Sequence, residues 1–328
     1  MSRTGWLLAA LLLAALVPAL IGGSELLPRL RSFPPGLLLA LFAMIVLCWA
    51  LNSLRLRLLL GSQGEKIGRL RSLGVIMATE FAICTTPGGS GGPLTLMALL
   101  SRDRVRPAHS GAVFAMDQLN DLLFFLCALL GILVYMLFHS LDRSLEGMLL
   151  GTALLMLAAL ALGLGVLRWR RGLMRWNGRL LQRLKVRGST RRRWAKRLLH
   201  FFRAFRATLR LPRRTLALVF ALTCVHWGLR YSVLYLVLLG LGGNLQWISS
   251  FLVQVLSLSA GQFSLLPGGA GAAELTSATL LAPMVGKSTA AAGVLIWRVV
   301  TWYFYLVAGG PVFLCLLGKP LSLIHISE

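Results

Sequence analysis

Thr86-Pro87-Gly88-Gly89-Ser90-Gly91-Gly92-Pro93 sits in the middle of an apolar segment of membrane-spanning length, and Leu266-Pro267-Gly268-Gly269-Ala270-Gly271 repeats it 180 residues later. Proline has no amide donor and glycine costs about 1 kcal/mol relative to alanine in a helix, so both stretches break the helices that contain them. In hydrocarbon each freed backbone group costs several kcal/mol unless it is buried in protein or lines a wet cavity. Two such breaks at matching places point to function.

The surrounding composition is that of an integral membrane protein. Of 328 residues 57% are hydrophobic and 13% charged, and the mean hydropathy is +0.77. Runs of about 20 apolar residues recur, the length a helix needs to cross roughly 30 Å of hydrocarbon. No alternating ten-residue pattern suggests a β-barrel. The expectation is an all-α bundle with about six full transmembrane helices, two re-entrant helical hairpins and no soluble catalytic domain.

Charge sets the topology. The formal net charge is +24, and 18 of the 34 basic residues fall between Arg168 and Arg214, a stretch without Asp or Glu. Beside membrane helices such a block marks the cytoplasmic side and attracts anionic lipid headgroups rather than nucleic acid. Its Trp169, Trp176, Trp194, Phe201 and Phe202 suggest amphipathic helices in the headgroup region, interrupted near Gly188-Ser189-Thr190. The five cysteines lie in apolar segments without metal or redox spacing, so neither disulfide nor metal is expected.

Along the chain, residues 5–22 read as a retained helix rather than a signal peptide, and 23–35 as a short polar turn. Span 36–60 ends in a basic cluster made of Arg55, Arg57, Lys66, Arg69 and Arg71, which puts that end in the cytoplasm. Segment 73–100 is basic on both flanks, with Arg102, Arg104 and Arg106 following it. A re-entrant hairpin resolves this, because two arms of about 13 residues reach roughly 20 Å at 1.5 Å per residue and return. Residues 111–138 cross outward, 139–146 form an external loop, and 147–167 cross back. Span 215–240, a second hairpin within 248–285 and span 289–318 complete the chain before Lys319. The tail 321–328 carries no readable pattern. Both termini are expected in the cytoplasm.

Span 36–60, hairpin 73–100 and span 111–138 match span 215–240, hairpin 253–280 and span 289–318 at an offset near 180. The first set starts outside and the second inside. That is an inverted-topology repeat of the secondary-transporter kind, with residues 147–214 as the link.

The candidate site residues follow from this plan. Pro87, Gly88, Gly89, Gly91 and Gly92 of tip one and Pro267, Gly268, Gly269 and Gly271 of tip two offer backbone amides, and such turns can nest an anion such as a phosphate headgroup. The competing reading is that the glycines only allow close packing. Charged residues at depth are costly and usually functional. Arg298 and Arg230 would hold an anionic headgroup. Glu80, Asp117 and Asp121 would serve as counter-ions or a charge relay. Glu274 opens the second arm of hairpin two, where an acid also complements a helix N-terminus. The competing structural reading is internal salt bridges, Arg298 to Asp121 for example. His226, one turn before Arg230, reads as a core residue. Gly286-Lys287-Ser288 lacks the upstream glycine of a nucleotide loop, so ATP is not expected. No catalytic constellation appears and no cofactor is expected.

The motifs Thr86-Pro87-Gly88-Gly89-Ser90-Gly91-Gly92-Pro93 and Pro267-Gly268-Gly269-Ala270-Gly271-Ala272-Ala273-Glu274, with Arg298 in the last span, resemble the lysylphosphatidylglycerol synthase transmembrane family, also called flippase-like. The resemblance covers nearly the whole chain and includes the lipid-flipping half of the multiple peptide resistance factor. It implies a multi-pass protein of the bacterial cytoplasmic membrane that handles phospholipids, aminoacylated phospholipids or polyprenyl- and hopanoid-type lipids. The synthase activity of the namesake belongs to a soluble domain absent from this sequence. In the family an acidic residue often accompanies the first glycine tip, whereas here Pro93 follows Gly92 directly. The expected function is ATP-independent lipid flipping. The alternatives are a membrane enzyme or accessory subunit acting on a lipid-linked substrate, and a channel or ion-coupled solute transporter. A homodimer is compatible with the sequence, which leaves oligomeric state open.

Overall fold

The computed structural model describes residues 3–138, 188–264 and 266–317, with scattered positions between 150 and 172. The expected loop 139–146, span 147–167, much of the basic stretch before Gly188, Lys319 and the tail 321–328 lie outside the described residues.

Every element is helical. In chain order they are α1 (Arg3–Gly22), a 3-10 turn (Gly23–Glu25), α2 (Leu26–Arg31), α3 (Pro35–Leu60), α4 (Ser62–Lys66), α5 (Arg69–Thr85), α6 (Gly91–Arg102), α7 (Pro107–Phe138), α8 (Gly188–Leu209), α9 (Arg213–Gly240), α10 (Trp247–Phe263), α11 (Ala272–Val285), α12 (Lys287–Arg298), a π-helical turn (Val299–Tyr303) and α13 (Phe304–Leu317). Pro35 and Pro107 open their helices at the first position, where a missing amide costs nothing. Gly286, with φ 84° and ψ 152°, separates α11 from α12.

Five stretches among the described residues are long and apolar enough to cross a membrane: Leu7–Arg31, Pro35–Leu60, Pro107–Tyr135, Arg213–Gly240 and Lys287–Leu317. Leu8, Leu12, Leu16 and Leu20 recur every four residues on α1 and are all exposed, the mark of a face turned to lipid. The chain is therefore an all-α, multi-pass integral membrane protein. The two glycine breaks each join a pair of shorter helices, of 17 and 12 residues and of 17 and 14 residues. At 1.5 Å per residue these arms run about 18 to 26 Å, short of a full crossing.

Three sequence expectations change. The polar turn 23–35 contains the helix α2. The last span is not one continuous α-helix, because the π-turn interrupts it. Segment 188–209 does not lie free in the headgroup region: α8 packs along α7 and buries Phe202 and Phe205. Lys196, His200, Arg203, Arg206 and Arg210 remain exposed on the side left open.

The chain divides into two compact units, one of Met1–Leu54, Ile67–Leu99 and Val225–Glu328, the other of Arg55–Lys66 and Leu100–Cys224. The first holds both glycine tips. Its core joins Leu41, Ile45 and Trp49 of α3 to Val233, Leu234 and Leu238 of α9 and to Trp297, Val300 and Trp302. Trp49 stacks on Phe304 at 5.3 Å and meets Tyr305 edge-on at 5.1 Å. Helix α13 packs on α5, and Gly309 permits the approach: a Cβ there would stand 2.9 Å from the Met77 carbonyl.

Candidate substrate site at the glycine tips

The two turns repeat bond for bond. In tip one Gly89 N–H donates to Thr86 O and Ser90 N–H to Pro87 O; in tip two Gly269 N–H donates to Leu266 O and Ala270 N–H to Pro267 O. The glycines at the bend share one conformation, with φ 57° and 68° at Gly88 and Gly89 and 63° and 68° at Gly268 and Gly269. Left-handed φ at two consecutive positions is what demands glycine. Thr86 is extended, as the residue before a proline prefers to be.

The tips meet. Pro87 and Pro267 form an isolated antiparallel bridge. Because these residues occupy equivalent places in the two turns, the contact is locally two-fold. Trp302 of the π-turn closes the seam. Its Nε1 donates to the Cys84 carbonyl at the end of α5, at 3.2 Å, while its indole packs flat against Gly268 and leaves no room for a Cβ there. Sequence reasoning passed over Trp302. A tryptophan in a membrane span reads first as an interfacial anchor, and nothing local marks it as a staple.

Most tip amides are already engaged. Gly92 N–H donates to Gly89 O, and Gly91 N–H donates to Thr86 Oγ1 at 2.8 Å, so Thr86 caps the start of α6. In tip two, Ala273 and Leu275 N–H donate to Gly269 and Gly271 carbonyls. These bonds leave little of the amide nest that the sequence suggested. Close packing is evident instead: a Cβ at Gly269 would lie 2.6 Å from Gly261 Cα, and one at Gly92 would overlap Ile83.

The charged residues fall into distinct settings. Arg298 Nε lies 2.6 Å from Glu274 Oε1, and Arg298 Nη1 donates to Gly268 O at 3.2 Å. Both side chains are buried, at 3% and 0% exposure. The contact is ionic rather than an aligned hydrogen bond, and neither Glu274 Oε2 nor Arg298 Nη2 has a hydrogen-bond partner among the described residues. The guanidinium also lies over Trp297 and Trp302, 5.2 and 5.5 Å from their ring centres. Glu274 is thus more than a helix-end acid: it anchors the arginine that grips tip two. The Arg298–Asp121 bridge offered as an example does not form.

Asp121 has another partner. Arg55 Nη2 reaches Asp117 Oδ1 at 2.6 Å and Asp121 Oδ1 at 2.7 Å, with both carboxylates one turn apart on α7. Arg55 is 1% exposed, so it does not belong to the cytoplasmic basic cluster to which its position assigned it. Counting charge along the sequence ignores burial, and the partner lies 62 residues away. Glu80 is half-buried on α5 and acts electrostatically on Arg230. Arg230 itself donates through Nη2 to Thr301 O at 3.2 Å, and its guanidinium carbon lies 5.2 Å from the Tyr305 ring centre. No group of three or more metal-ligating side chains occurs among the described residues.

Helices that cross the bilayer, two broken-helix tips that touch at equivalent prolines and arginines held at depth define a polytopic membrane protein of the lipid-handling kind. The model of the lysylphosphatidylglycerol synthase transmembrane region matches residues 7–309, and the chain belongs to that family. Among relatives, it is 24% identical over 273 residues to a UPF0104 membrane protein of Archaeoglobus fulgidus, covering 81% of this chain and 82% of that one. It is 30% identical over 119 residues to a UPF0104 membrane protein of Pyrococcus horikoshii, covering 35% and 36%.

Proposed function

We propose that this protein moves a phosphate-containing lipid between the leaflets of a cytoplasmic membrane without ATP. The observation that carries the reading is the pairing of Pro87 with Pro267, two helix breaks that touch inside an apolar unit. Irregular backbone at membrane depth is tolerated where it is buried in protein or borders a polar path, and broken helices meeting at a repeat interface are the usual substrate site of transporters. In this reading the hairpins enter from opposite faces, both termini are cytoplasmic, and the seam between the tips parts alternately toward each leaflet. The headgroup passes the seam while the acyl chains stay in the bilayer. The basic stretch 168–214 gathers anionic lipid at the cytoplasmic face.

The test is reconstitution into liposomes carrying headgroup-labelled phosphatidylglycerol, with membrane-impermeant quenching of the outer leaflet. Quenching beyond one half, at a rate rising with protein per vesicle, is expected. A rate equal to that of protein-free vesicles overturns the proposal. The topology is checked separately with cysteines at Ser101 and Ser288, which should label from the cytoplasmic and the external side respectively.

A further inference from the structure

Three arginines lie within the helices of this protein and are held by side chains or backbone far along the chain, and they are not equivalent. Arg55 and Arg298 are almost fully buried and each is matched by carboxylates. Arg230 is only half-buried, and among the described residues it has no carboxylate within ion-pairing distance. It stands 17 residues after the start of α9 at Arg213 and 10 before its end at Gly240, about 25 and 15 Å along the axis. It is therefore deep in the span.

A guanidinium carries five N–H donors in a planar fork. One is spent on the Thr301 carbonyl, and the face of the group rests above Tyr305. The π-turn and the start of α13 thus support the arginine from one side without neutralising it. A charge at this depth that the protein leaves unmatched is costly, and residues of this kind mark the path of a substrate or ion.

We propose that Arg230, braced by Thr301 and Tyr305, is the docking point for one singly charged phosphodiester or phosphate group, and that Arg298 does not contact this ligand but holds tip two in place. The assignment rests on the lipid-transport reading and names its anion site. A single unmatched cation suits a single negative charge, and the fork geometry suits two oxygens of one phosphate. Lysine at this position keeps the charge and loses the fork.

Binding, measured apart from movement, tests this. The purified full chain in micelles of a neutral detergent is titrated with phosphatidylglycerol, with diacylglycerol and with inorganic phosphate, read by native mass spectrometry. Wild type is expected to bind phosphatidylglycerol well above diacylglycerol. Arg230→Gln should weaken that binding about tenfold or more, and Arg230→Lys by less. Displacement of the lipid by millimolar phosphate would assign the site to the anion alone; retention would assign it to the whole headgroup with its chains. Either result supports a phosphate site at Arg230. If Arg230→Gln fails to fold, Arg230→Lys decides the matter. A folded Arg230→Gln or Arg230→Lys that binds phosphatidylglycerol as tightly as wild type overturns the proposal. Normal flipping by Arg230→Gln removes this assignment and leaves the transport reading standing. Binding lost in Arg230→Gln, with no flipping by wild type, removes transport alone.

Discussion

The two glycine tips have the same backbone and opposite surroundings. Tip one leaves Pro87, Gly88 and Ser90 exposed and is closed by its own Thr86 hydroxyl. Tip two buries Pro267, Gly269 and Ala270 and is held from outside the turn by Arg298 and Trp302. The residues 180 positions before Glu274 and Arg298 are Leu94 and Gln118, both exposed, so the first hairpin has no counterpart of the ion pair. A duplicated turn has become a fixed half and a freer half. That asymmetry makes tip one the mobile partner at the seam.

The largest effect should come from unmatching the ion pair. Arg298→Ala strands a buried carboxylate and should cost about 3–5 kcal/mol in denaturant unfolding in micelles, while Arg298→Leu combined with Glu274→Leu should recover most of it. Ala at Leu94 or Gln118 should change stability by less than about 0.5 kcal/mol. Equal losses in the two hairpins would break the comparison.

Next in size is the glycine contrast. Gly269→Ala meets both a left-handed φ and the Gly261 backbone, so about 2–4 kcal/mol is expected; Gly88→Ala has open space around it and carries only the conformational term, about 1–2 kcal/mol. Trp302→Phe keeps the ring against Gly268 and orphans the Cys84 carbonyl, for about 1–2 kcal/mol and faster thiol labelling of Cys84 in a chain whose other cysteines are serine. An unchanged labelling rate would separate Trp302 from the seam. Smallest is Thr86→Val, about 1 kcal/mol, which removes the cap on Gly91 and should affect tip one alone.

These differences explain what could be read from sequence. The helix breaks were legible because glycine and proline act locally, and the all-α membrane class because apolar length is a property of each segment. The offset of 180 located equivalent prolines, and the backbone pattern recurs at the same offset. Partners were not legible. Glu274 and Arg298 are 24 residues apart and Arg55 and Asp117 are 62 apart, and no spacing rule joins them. The apolar face of α8 was visible in Phe202 and Phe205, but its burial against α7 was not, since a bilayer and a neighbouring helix ask for the same pattern. The π-turn left no mark in Val299–Tyr303, a run that reads as ordinary helix.

That turn has a consequence for the last 31 residues of the described chain. A π-helical insertion holds one residue more than an α-helix of the same height, so removing one residue between 299 and 303 would let the ladder close as a plain helix. Everything after the deletion would keep its sequence but change phase by about 100° against everything before it. Arg298 would still face Glu274, while Tyr305 would swing from beneath Arg230 and Gly309 from the Met77 carbonyl. The turn therefore works as a phase-setting joint between α12 and α13, and it makes chain length here as constrained as residue identity.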